Sequence, residues 1–327
     1  MGNKENKSYE SSLFLKYHKA KVSNIIVLRD GRLSSCSFDK KIIIYKKNSF
    51  QIDEILEGKN SFIFHLQLSN NNIVGVHTNC RTNRLEIYEL KNNKYKLYQE
   101  IKIDQTIKAH KIIEIDAKTF ALSFKYIYLQ IYRIDESKNY TKILEKEILP
   151  STKYGRLYVL KVNESELVSY SYYLHEIQFL DIKNKFEIIA KISNIEIKEI
   201  KNSMFMLNNI TLLVFATYKK GNGIYLIDIK NHIVIKQIMK RFSFSSIIKL
   251  LNGNFLVGYM DMKGNDETGL AEYKYENEMF LKINSVKEEN YLINLCEMKD
   301  RKIASLSGNR FSGNKKIKIW SKINNKK

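Results

Sequence analysis

Proline, glycine and cysteine are scarce in this chain. Its 327 residues include one proline and 13 glycines, so most turns cannot depend on glycine for left-handed backbone. Asparagine, aspartate and serine are predicted to form the turns, because their short polar side chains bond to nearby backbone groups. The three cysteines, Cys36, Cys80 and Cys296, are odd in number and lack metal-ligand spacing. This pattern argues against a disulfide framework and a cysteine-based metal site, and it predicts reduced core thiols.

Long apolar runs are also missing. No stretch reaches the roughly 18 residues needed to cross a bilayer, and the first residues contain no apolar signal-peptide core. These absences predict an intracellular, cytoplasmic protein, with nuclear or weakly membrane-associated placement as the open alternatives. Gly2 is a candidate lipidation site, although Asn6 stands where the strict myristoylation pattern has serine or threonine.

What the chain does contain is typical of a folded β protein. Hydrophobic residues make up 44% and aromatic residues 12%, with 21 tyrosines and 16 phenylalanines, a composition that favours strands over disorder. The formal net charge is +20, but the lysines are spread over every segment, as on a solvated surface. Clustered arginine with interleaved aromatic residues would indicate a nucleic-acid groove more specifically.

A repeat of four short predicted strands recurs along the chain. In its best-preserved copy the strands are predicted at 22–28, 33–37, 42–45 and 50–56. Related copies follow at a period of roughly 40–48 residues, which is typical of propellers. The seventh and last copy has three strands instead of four, whereas a lone strand precedes the first copy.

These observations predict an all-β fold, a seven-bladed β-propeller of four-stranded antiparallel blades. The N-terminal strand, Ser12–Tyr17, is predicted to pair beside Lys316–Trp320 in the last blade, because closure removes unpaired strand edges. The predicted boundaries are a flexible segment at 1–10, one domain at 11–321 and a basic tail at 322–327. No linker rich in proline or glycine interrupts the array, which favours one domain over an open stack or two sandwiches.

Motifs for catalysis and for metal or phosphate binding are absent from the sequence. The six histidines fall in different repeats and never at ligand spacing, and no nucleophile elbow, Walker-type loop or CxxC pair occurs. Gly221–Gly223 is interpreted as a short loop, and 261–266 as a long turn that lacks the ligand set of a calcium loop. We therefore predict a non-enzymatic protein without cofactor or metal, leaving open only carboxylates that converge from different repeats.

The first repeat resembles a WD40 repeat. His18 precedes its first strand, Ser35 lies near the end of the second, Asp39 is in the following turn, and Tyr45 ends the third strand. In WD40 repeats a His, a Ser, an Asp and a Trp at such positions form a structural hydrogen-bonded tetrad, and here tyrosine replaces tryptophan. Ser305 and Trp320 repeat part of the pattern in the seventh copy, while the middle repeats lack the Gly-His and Trp-Asp pairs. The resemblance implies a non-catalytic protein-interaction scaffold.

Recognition is expected on loops, because loops on a rigid scaffold are the usual place for it. In a propeller the turns between the second and third strands and the connections between repeats emerge on one face around the central channel. We predict that a protein or peptide partner, acidic in character, docks there. The alternative is a basic propeller that attaches to anionic lipid or nucleic acid by electrostatics. The candidate partner-binding rim consists of Arg81, Arg84, Tyr126, Tyr154, Arg156, Tyr172, Tyr173, Lys219, Lys220, Arg241, Arg310 and Phe311.

Overall fold

A computed structural model describes residues 9–78, 83–103, 109–124, 128–148, 157–171, 176–193, 204–218, 221–240, 243–260, 268–288, 291–308 and 315–323. Every regular element within these ranges is a β-strand. The chain divides into two compact units, one formed by Met1–Glu57 with Arg241–Lys327 and the other by Gly58–Lys240. The single-domain boundaries at 11–321 stay a prediction.

The described residues form 28 strands. In chain order they are β1 (Tyr9–Leu15), β2 (Val22–Val27), β3 (Leu33–Ser37), β4 (Lys41–Tyr45), β5 (Ile52–Glu57), β6 (Phe62–Gln67), β7 (Ile73–Thr78), β8 (Asn83–Lys91), β9 (Lys94–Ile103), β10 (Ala109–Asp116), β11 (Thr119–Phe124), β12 (Tyr128–Ile134), β13 (Tyr140–Glu147), β14 (Leu157–Lys161), β15 (Glu166–Ser171), β16 (Glu176–Asp181), β17 (Glu187–Ile192), β18 (Met204–Met206), β19 (Thr211–Tyr218), β20 (Gly221–Asp228), β21 (Ile233–Lys240), β22 (Ser243–Lys249), β23 (Phe255–Met260), β24 (Thr268–Glu276), β25 (Met279–Glu288), β26 (Tyr291–Glu297), β27 (Ile303–Gly308) and β28 (Lys315–Lys322).

The first unit contains three antiparallel four-stranded sheets, ordered β2-β3-β4-β5, β22-β23-β24-β25 and β26-β27-β28-β1. The second unit contains four such sheets, ordered β6-β7-β8-β9, β10-β11-β12-β13, β14-β15-β16-β17 and β18-β19-β20-β21. The sequence prediction of seven four-stranded repeats is therefore confirmed. We number the repeats 1 to 7 in chain order.

The predicted closure by the N-terminal strand is also confirmed. β1 lies beside β28, in register from Tyr9 opposite Lys322 to Leu15 opposite Ile317. It begins three residues earlier than predicted, because the Tyr9 side chain is only 4% exposed and joins the core. The interpretation of Gly221–Gly223 as a loop is wrong, since these residues begin β20 and pair with β19. The apolar run that follows them forms the rest of β20, and residues 221–223 extend its pairing with β19 to the end of the hairpin.

Burial along each repeat explains why these residues form strands. In repeat 1 all five residues of β3 and four of the five in β4 are buried, so both strands are continuous apolar or small-residue runs. The outer strand β5 is buried at only one residue of six. A strand covered on both faces is enriched in apolar and β-branched residues, whereas a half-exposed one alternates. The recurring sequence pattern therefore reflects which strands of each repeat are buried and which are half-exposed.

The first turn of every repeat is closed in the same way. An Asp or Asn side chain accepts a hydrogen bond from the backbone N–H two residues later, which is the Asx turn. The acceptors, at distances of 2.8–3.3 Å, are Asp30, Asn70, Asp116, Asn163, Asn208, Asn252 and Asp300. Short polar residues thus form these turns as predicted, and they mark the repeat period directly.

A register shift recurs between the third and fourth strands of every repeat, as between Ile44 and Tyr45 in repeat 1. Such bulges bend and twist the outer strand and blunt its edge against pairing with another chain. The side chains that follow the shift on the third strand are Tyr45, Tyr88, Tyr132, Leu180, Ile227, Tyr273 and Trp320. This register defines equivalent positions across the repeats.

Candidate interaction surface

Of the twelve predicted rim residues, Arg84 is within the described part of the chain. It lies on β8, where its guanidinium Nη1 is 3.4 Å from Glu100 Oε2 and its side chain is about one-third exposed. Lys59 Nζ lies 2.7 Å from the other oxygen of the same carboxylate. Gly2 and the remaining rim residues lie outside the described residues: Arg81, Tyr126, Tyr154, Arg156, Tyr172, Tyr173, Lys219, Lys220, Arg241, Arg310 and Phe311. The rim as a whole stays a prediction.

The four side chains assigned to the tetrad form one continuous hydrogen-bonded chain in repeat 1. His18 Nδ1 is 2.9 Å from Asp39 Oδ2, and His18 Nε2 is 2.7 Å from Ser35 Oγ. Ser35 Oγ is in turn 2.8 Å from the Tyr45 hydroxyl. With a neutral imidazole the donors run in one direction: Tyr45 to Ser35, Ser35 to His18, and His18 to Asp39. Tyrosine thus takes the place that tryptophan holds in the family pattern.

Asp39 also fixes the backbone around it. Its carboxylate accepts hydrogen bonds from the N–H groups of Lys19 and Lys41, at 2.9 and 3.2 Å. Phe38 N–H donates to the Lys21 carbonyl at 3.0 Å. Two loops, 16–21 and 38–41, are therefore held against each other by one buried carboxylate.

The imidazole of His18 is held in its neutral form. Burial lowers its pKa below the ordinary value of a histidine, and this outweighs the contact with Asp39, which acts in the opposite direction. A buried side chain that resists protonation is suited to the role of a fixed hydrogen-bond bridge, with Nδ1 donating and Nε2 accepting. It is unsuited to taking up a proton near neutral pH.

A pH dependence of stability follows from the lowered pKa of His18. Because the unfolded chain binds the proton more readily, the contribution of His18 is fully present above about pH 6.5 and is lost as the pH falls below it. We expect the unfolding free energy to fall between pH 7 and pH 5.5 more steeply in the native protein than in His18→Ala. Chemical denaturation at a series of pH values measures both slopes, and parallel curves would contradict the assignment. At pH 7 the substitution itself should cost about 1–3 kcal/mol, since it removes one hydrogen-bond partner from each of the buried Ser35 and Asp39 side chains.

Repeat 7 carries a shorter version of the tetrad. The indole N–H of Trp320 donates to Ser305 Oγ at 2.8 Å, and both side chains are buried. Lys318 Nζ lies 4.4 Å from the centre of the Trp320 ring and 2.5 Å from Glu288 Oε2. The equivalence of Trp320 with Tyr45, which the sequence indicated, is thus reproduced by strand register and by the bond to serine.

Two middle repeats carry hydrogen-bonded tyrosines that the sequence analysis missed. In repeat 2 the Tyr88 hydroxyl donates to Glu86 at 2.5 Å, and in repeat 3 Tyr132 donates to Gln130 at 2.7 Å. Each tyrosine bonds to the residue two positions earlier on its own strand. The signal was present as an isoleucine followed by an aromatic residue at the end of the third strand, the pattern shared with Ile44-Tyr45 and Ile319-Trp320.

A cationic and aromatic surface, the Tyr17 patch, lies on the loops that Asp39 holds together. Its members are Lys16, Tyr17, Lys19, Lys21, Phe38 and Lys40. The Tyr17 and Phe38 side chains are 46% and 37% exposed. Lys21 Nζ lies 5.7 Å from the centre of the Phe38 ring, and the Tyr17 ring centre is 6.0 Å from that of Tyr45. The patch thus rests directly on the tetrad.

The Tyr17 patch carries an excess of positive charge. Segments 16–21 and 38–41 contain five lysines and one acidic residue, Asp39. The Asp39 side chain is 7% exposed and bonded to His18, so it presents little negative surface. Lys41 is 3.0 Å from Glu57, which neutralises it locally. The ammonium groups of Lys16, Lys19 and Lys40 have no carboxylate partner among the described residues.

Features of metal-binding, reactive-thiol and membrane-spanning proteins are absent from the described part of the chain. Within those residues no three His, Cys, Asp or Glu side chains cluster as metal ligands. Cys36 is buried and Cys296 half-buried, and both are free thiols, while Cys80 lies outside the described residues. Burial raises the pKa of both thiols to about 12, so neither is a reactive thiolate. The described residues also include no helix long and apolar enough to cross a bilayer.

Comparison with known proteins gives structural but no sequence relatives. No family model matches the chain, and no curated protein matches it in sequence. The β-propeller domain of Cps50 (Swd1) from Myceliophteria thermophila is similar in structure, with a TM-score of 0.72, 12% identity, and coverage of 96% of this chain and 100% of that domain. The WD40 β-propeller domain of Doa1 gives a TM-score of 0.67 at 13% identity, covering 96% of this chain and 97% of that domain. The chain therefore has the fold of a WD40-like β-propeller, built from seven four-stranded repeats.

Proposed function

We propose that this protein is a non-catalytic interaction scaffold that docks an acidic segment of a partner protein on its loop face, around the central channel. In this proposal the Tyr17 patch belongs to that docking surface. The protein acts in the cytoplasm in this proposal. Carboxylates of the partner pair with the lysines, and side chains of the partner pack against the exposed rings of Tyr17 and Phe38.

The observation that carries the proposal is the coupling of the Tyr17 patch to the buried tetrad. Asp39 orders both loops through Lys19 N–H and Lys41 N–H, so the exposed side chains stand on a fixed backbone. Preordered loops lose less conformational entropy on binding. Aromatic side chains are enriched at protein interfaces, and a cationic surface steers an acidic partner toward it. Electrostatic attraction alone would need no exposed rings on ordered loops, and this favours a protein partner over a polyanion.

Affinity capture with matched charge variants tests the proposal. The native protein, Lys16→Glu/Lys19→Glu and Lys94→Glu/Lys96→Glu are each used to capture proteins from native cell extract at about 100 mM and about 500 mM salt. The two double variants change the net charge equally, but Lys94 and Lys96 are exposed on β9, in the other compact unit. We expect a discrete protein that survives high salt on the native chain and on the β9 variant and is lost from the patch variant.

Two results would count against the scaffold. If both double variants lose the captured protein equally, net charge and not the Tyr17 patch determines binding. If only nucleic acid or anionic lipid is captured, and binding falls steeply with salt, the electrostatic alternative replaces the scaffold. Tyr17→Ala separates these cases further, since it removes an exposed ring without changing charge. If Tyr17→Ala no longer captures the partner, docking on the Tyr17 patch is supported. If capture is unchanged, the Tyr17 ring does not contribute to the docking surface.

A further inference from the structure

A small cavity opens at the opposite ends of the repeat 1 strands from the Tyr17 patch. Its volume is about 110 Å³. Three turns enclose it: the first turns of repeats 1 and 7, closed by the Asx bonds of Asp30 and Asp300, and the turn between β4 and β5. The lining residues are Asp30, Gly31, Leu33, Lys46, Lys47, Asn48, Phe50, Met298, Lys299 and Asp300.

The floor of the cavity is apolar. Leu33, Phe50 and Met298 are 2%, 6% and 4% exposed and belong to one core cluster. Phe50 has a φ of +54° and its N–H donates to the Lys46 carbonyl at 3.1 Å, which brings the ring back over the core. An apolar floor beneath an open cavity favours a ligand with an apolar group of matching size.

The rim of the cavity is cationic once its internal ion pairs are taken into account. Asp30 is paired with Arg32, whose Nε lies 2.8 Å from its carboxylate, and Asp300 is paired with Lys302 at 2.6 Å. Lys302 therefore neutralises Asp300, whereas Asp30 shares the Arg32 guanidinium with Asp53, which lies 2.6 Å from its Nη1.

Three lysines supply the remaining charge. Lys299 Nζ donates to the Arg29 carbonyl, which fixes the ammonium at the rim without cancelling its charge. Lys46 and Lys47 are exposed and have no carboxylate partner among the described residues. The rim thus keeps a net positive charge, because three lysines face the single carboxylate of Asp30, which is itself partly offset by Arg32.

Gly31 allows two of these lysines to approach the cavity closely. It has a φ of +93°, and an added Cβ would lie 3.2 Å from Lys299 Cδ and 3.5 Å from Lys47 Cε. A side chain there would strain the turn because φ is positive, and its Cβ would crowd the Lys299 stem while making only an ordinary contact with Lys47. Glycine therefore suits this turn, over which both stems lie.

We propose that this cavity, the Lys46–Lys47–Lys299 cavity, is a second docking site that takes one apolar side chain of an acidic peptide segment. The apolar side chain occupies the space above Leu33, Phe50 and Met298. Carboxylates on its neighbouring residues contact the three lysines. The site is independent of the Tyr17 patch and does not rest on the proposed function.

Size and charge together select this occupant. A cavity of about 150 Å³ is enough for benzene, so 110 Å³ admits a single aliphatic side chain but no nucleotide or cofactor. A second copy of this chain is disfavoured by its own net charge of +20. The headgroups of anionic lipids form a flat charged surface. At the depth of the headgroups there is no apolar group that could enter the cavity and contact its floor. A peptide supplies both groups at adjacent positions.

Fluorescence anisotropy with defined peptides tests the proposal. The probes are labelled heptapeptides with a central Leu, Ile, Met or Val, flanked on each side by three Glu or three Asp residues. We expect saturable binding of at least one probe, and weakening by about tenfold or more when glycine replaces its central residue, which corresponds to about 1.4 kcal/mol. Lys46→Glu/Lys47→Glu should weaken it by a similar factor.

A matched control gives every outcome a meaning. Lys94→Glu/Lys96→Glu changes the charge equally on β9, in the other compact unit, and should bind the probe like the native protein. Equal weakening in both double variants would show that net charge alone attracts the peptide, and it would overturn the site. Absence of saturation up to about 1 mM peptide would overturn it as well. Sedimentation with vesicles containing anionic lipid adds a further arm: binding that depends on Lys46 and Lys47 there, without peptide binding, would assign the surface to membrane and refute the peptide.

Discussion

Removal of residues 1–16 is expected to abolish cooperative folding. The deletion takes away β1, whose Tyr9 and Leu15 side chains are 4% and 5% exposed in the core. It also removes the Tyr9 hydroxyl, which donates to the buried Glu272 carboxylate at 3.0 Å. Truncation of one large buried side chain costs about 2–5 kcal/mol. The deletion removes two such side chains, and it also takes one hydrogen-bond donor from Glu272. The sum reaches the whole stability of a typical domain, about 5–15 kcal/mol.

A peptide of residues 9–16 added in trans makes this prediction specific. The truncated chain exposes the edge of β28, with Ile317, Ile319 and Trp320 no longer covered on that side. We expect the truncated protein to show no cooperative thermal transition, and to regain one when the peptide is supplied, because the strand binds the edge it occupies in the intact chain. A scrambled peptide of the same composition should have no effect. A truncated protein that unfolds with the native midpoint would show that β1 does not close the fold.

The sequence predicted the architecture well because burial is periodic. Strands such as β3 and β4 are buried along nearly their whole length, so they appear as apolar runs whatever surrounds them. Closure was also predictable, since it follows from counting strands in the last repeat. The tetrad could be predicted from the sequence because His18 and Asp39 are polar residues beside apolar runs, at positions that a known repeat family also uses.

Surface features were harder to predict because they depend on which loops meet. Tyr17 and Lys40 are more than twenty residues apart in the sequence. The residues around each of them do not indicate that hydrogen bonds to the Asp39 carboxylate bring their two loops together. The predicted rim consists of arginine, lysine and aromatic residues of other loops and does not include Tyr17, Phe38 or Lys40. Fold-level rules could place loops on one face, but only hydrogen-bond geometry identifies a surface that is both ordered and exposed.

Replacement of Glu86 is expected to have the second-largest effect. The side chain is 1% exposed on β8, where its carboxylate accepts from Tyr88 at 2.5 Å and from Lys59 N–H at 3.3 Å. His77 Nε2 lies 3.0 Å away, outside good hydrogen-bond alignment, so that contact is chiefly electrostatic. Glu86→Ala leaves these buried groups without their acceptor and should cost about 3–5 kcal/mol. Glu86→Gln, which keeps the shape and one acceptor oxygen, should cost less.

The acid limb of the stability curve provides a second readout for Glu86. Burial alone would raise the pKa of its carboxyl, but the contacts with His77, Tyr88 and Lys59 N–H together hold the pKa below the usual value. A lowered pKa in the folded state means that the stabilisation is complete above about pH 4.3 and is lost as the pH falls through the folded value. We therefore expect the native protein to lose stability below about pH 4.3 more steeply than Glu86→Gln.

An exposed carboxylate serves as the matched control for this experiment. Glu57 pairs with Lys41 at 3.0 Å, but its side chain is 72% exposed, so Glu57→Gln should change the unfolding free energy by about 1 kcal/mol or less. Urea denaturation of the three proteins between pH 3 and pH 7 compares both limbs directly. If Glu86→Gln and Glu57→Gln were equally mild and shared the native acid limb, Glu86 would not be the buried acceptor that holds Tyr88 and the Lys59 backbone in place. A steep native limb that is flattened in Glu86→Gln alone assigns the acid sensitivity of repeat 2 to that one carboxylate.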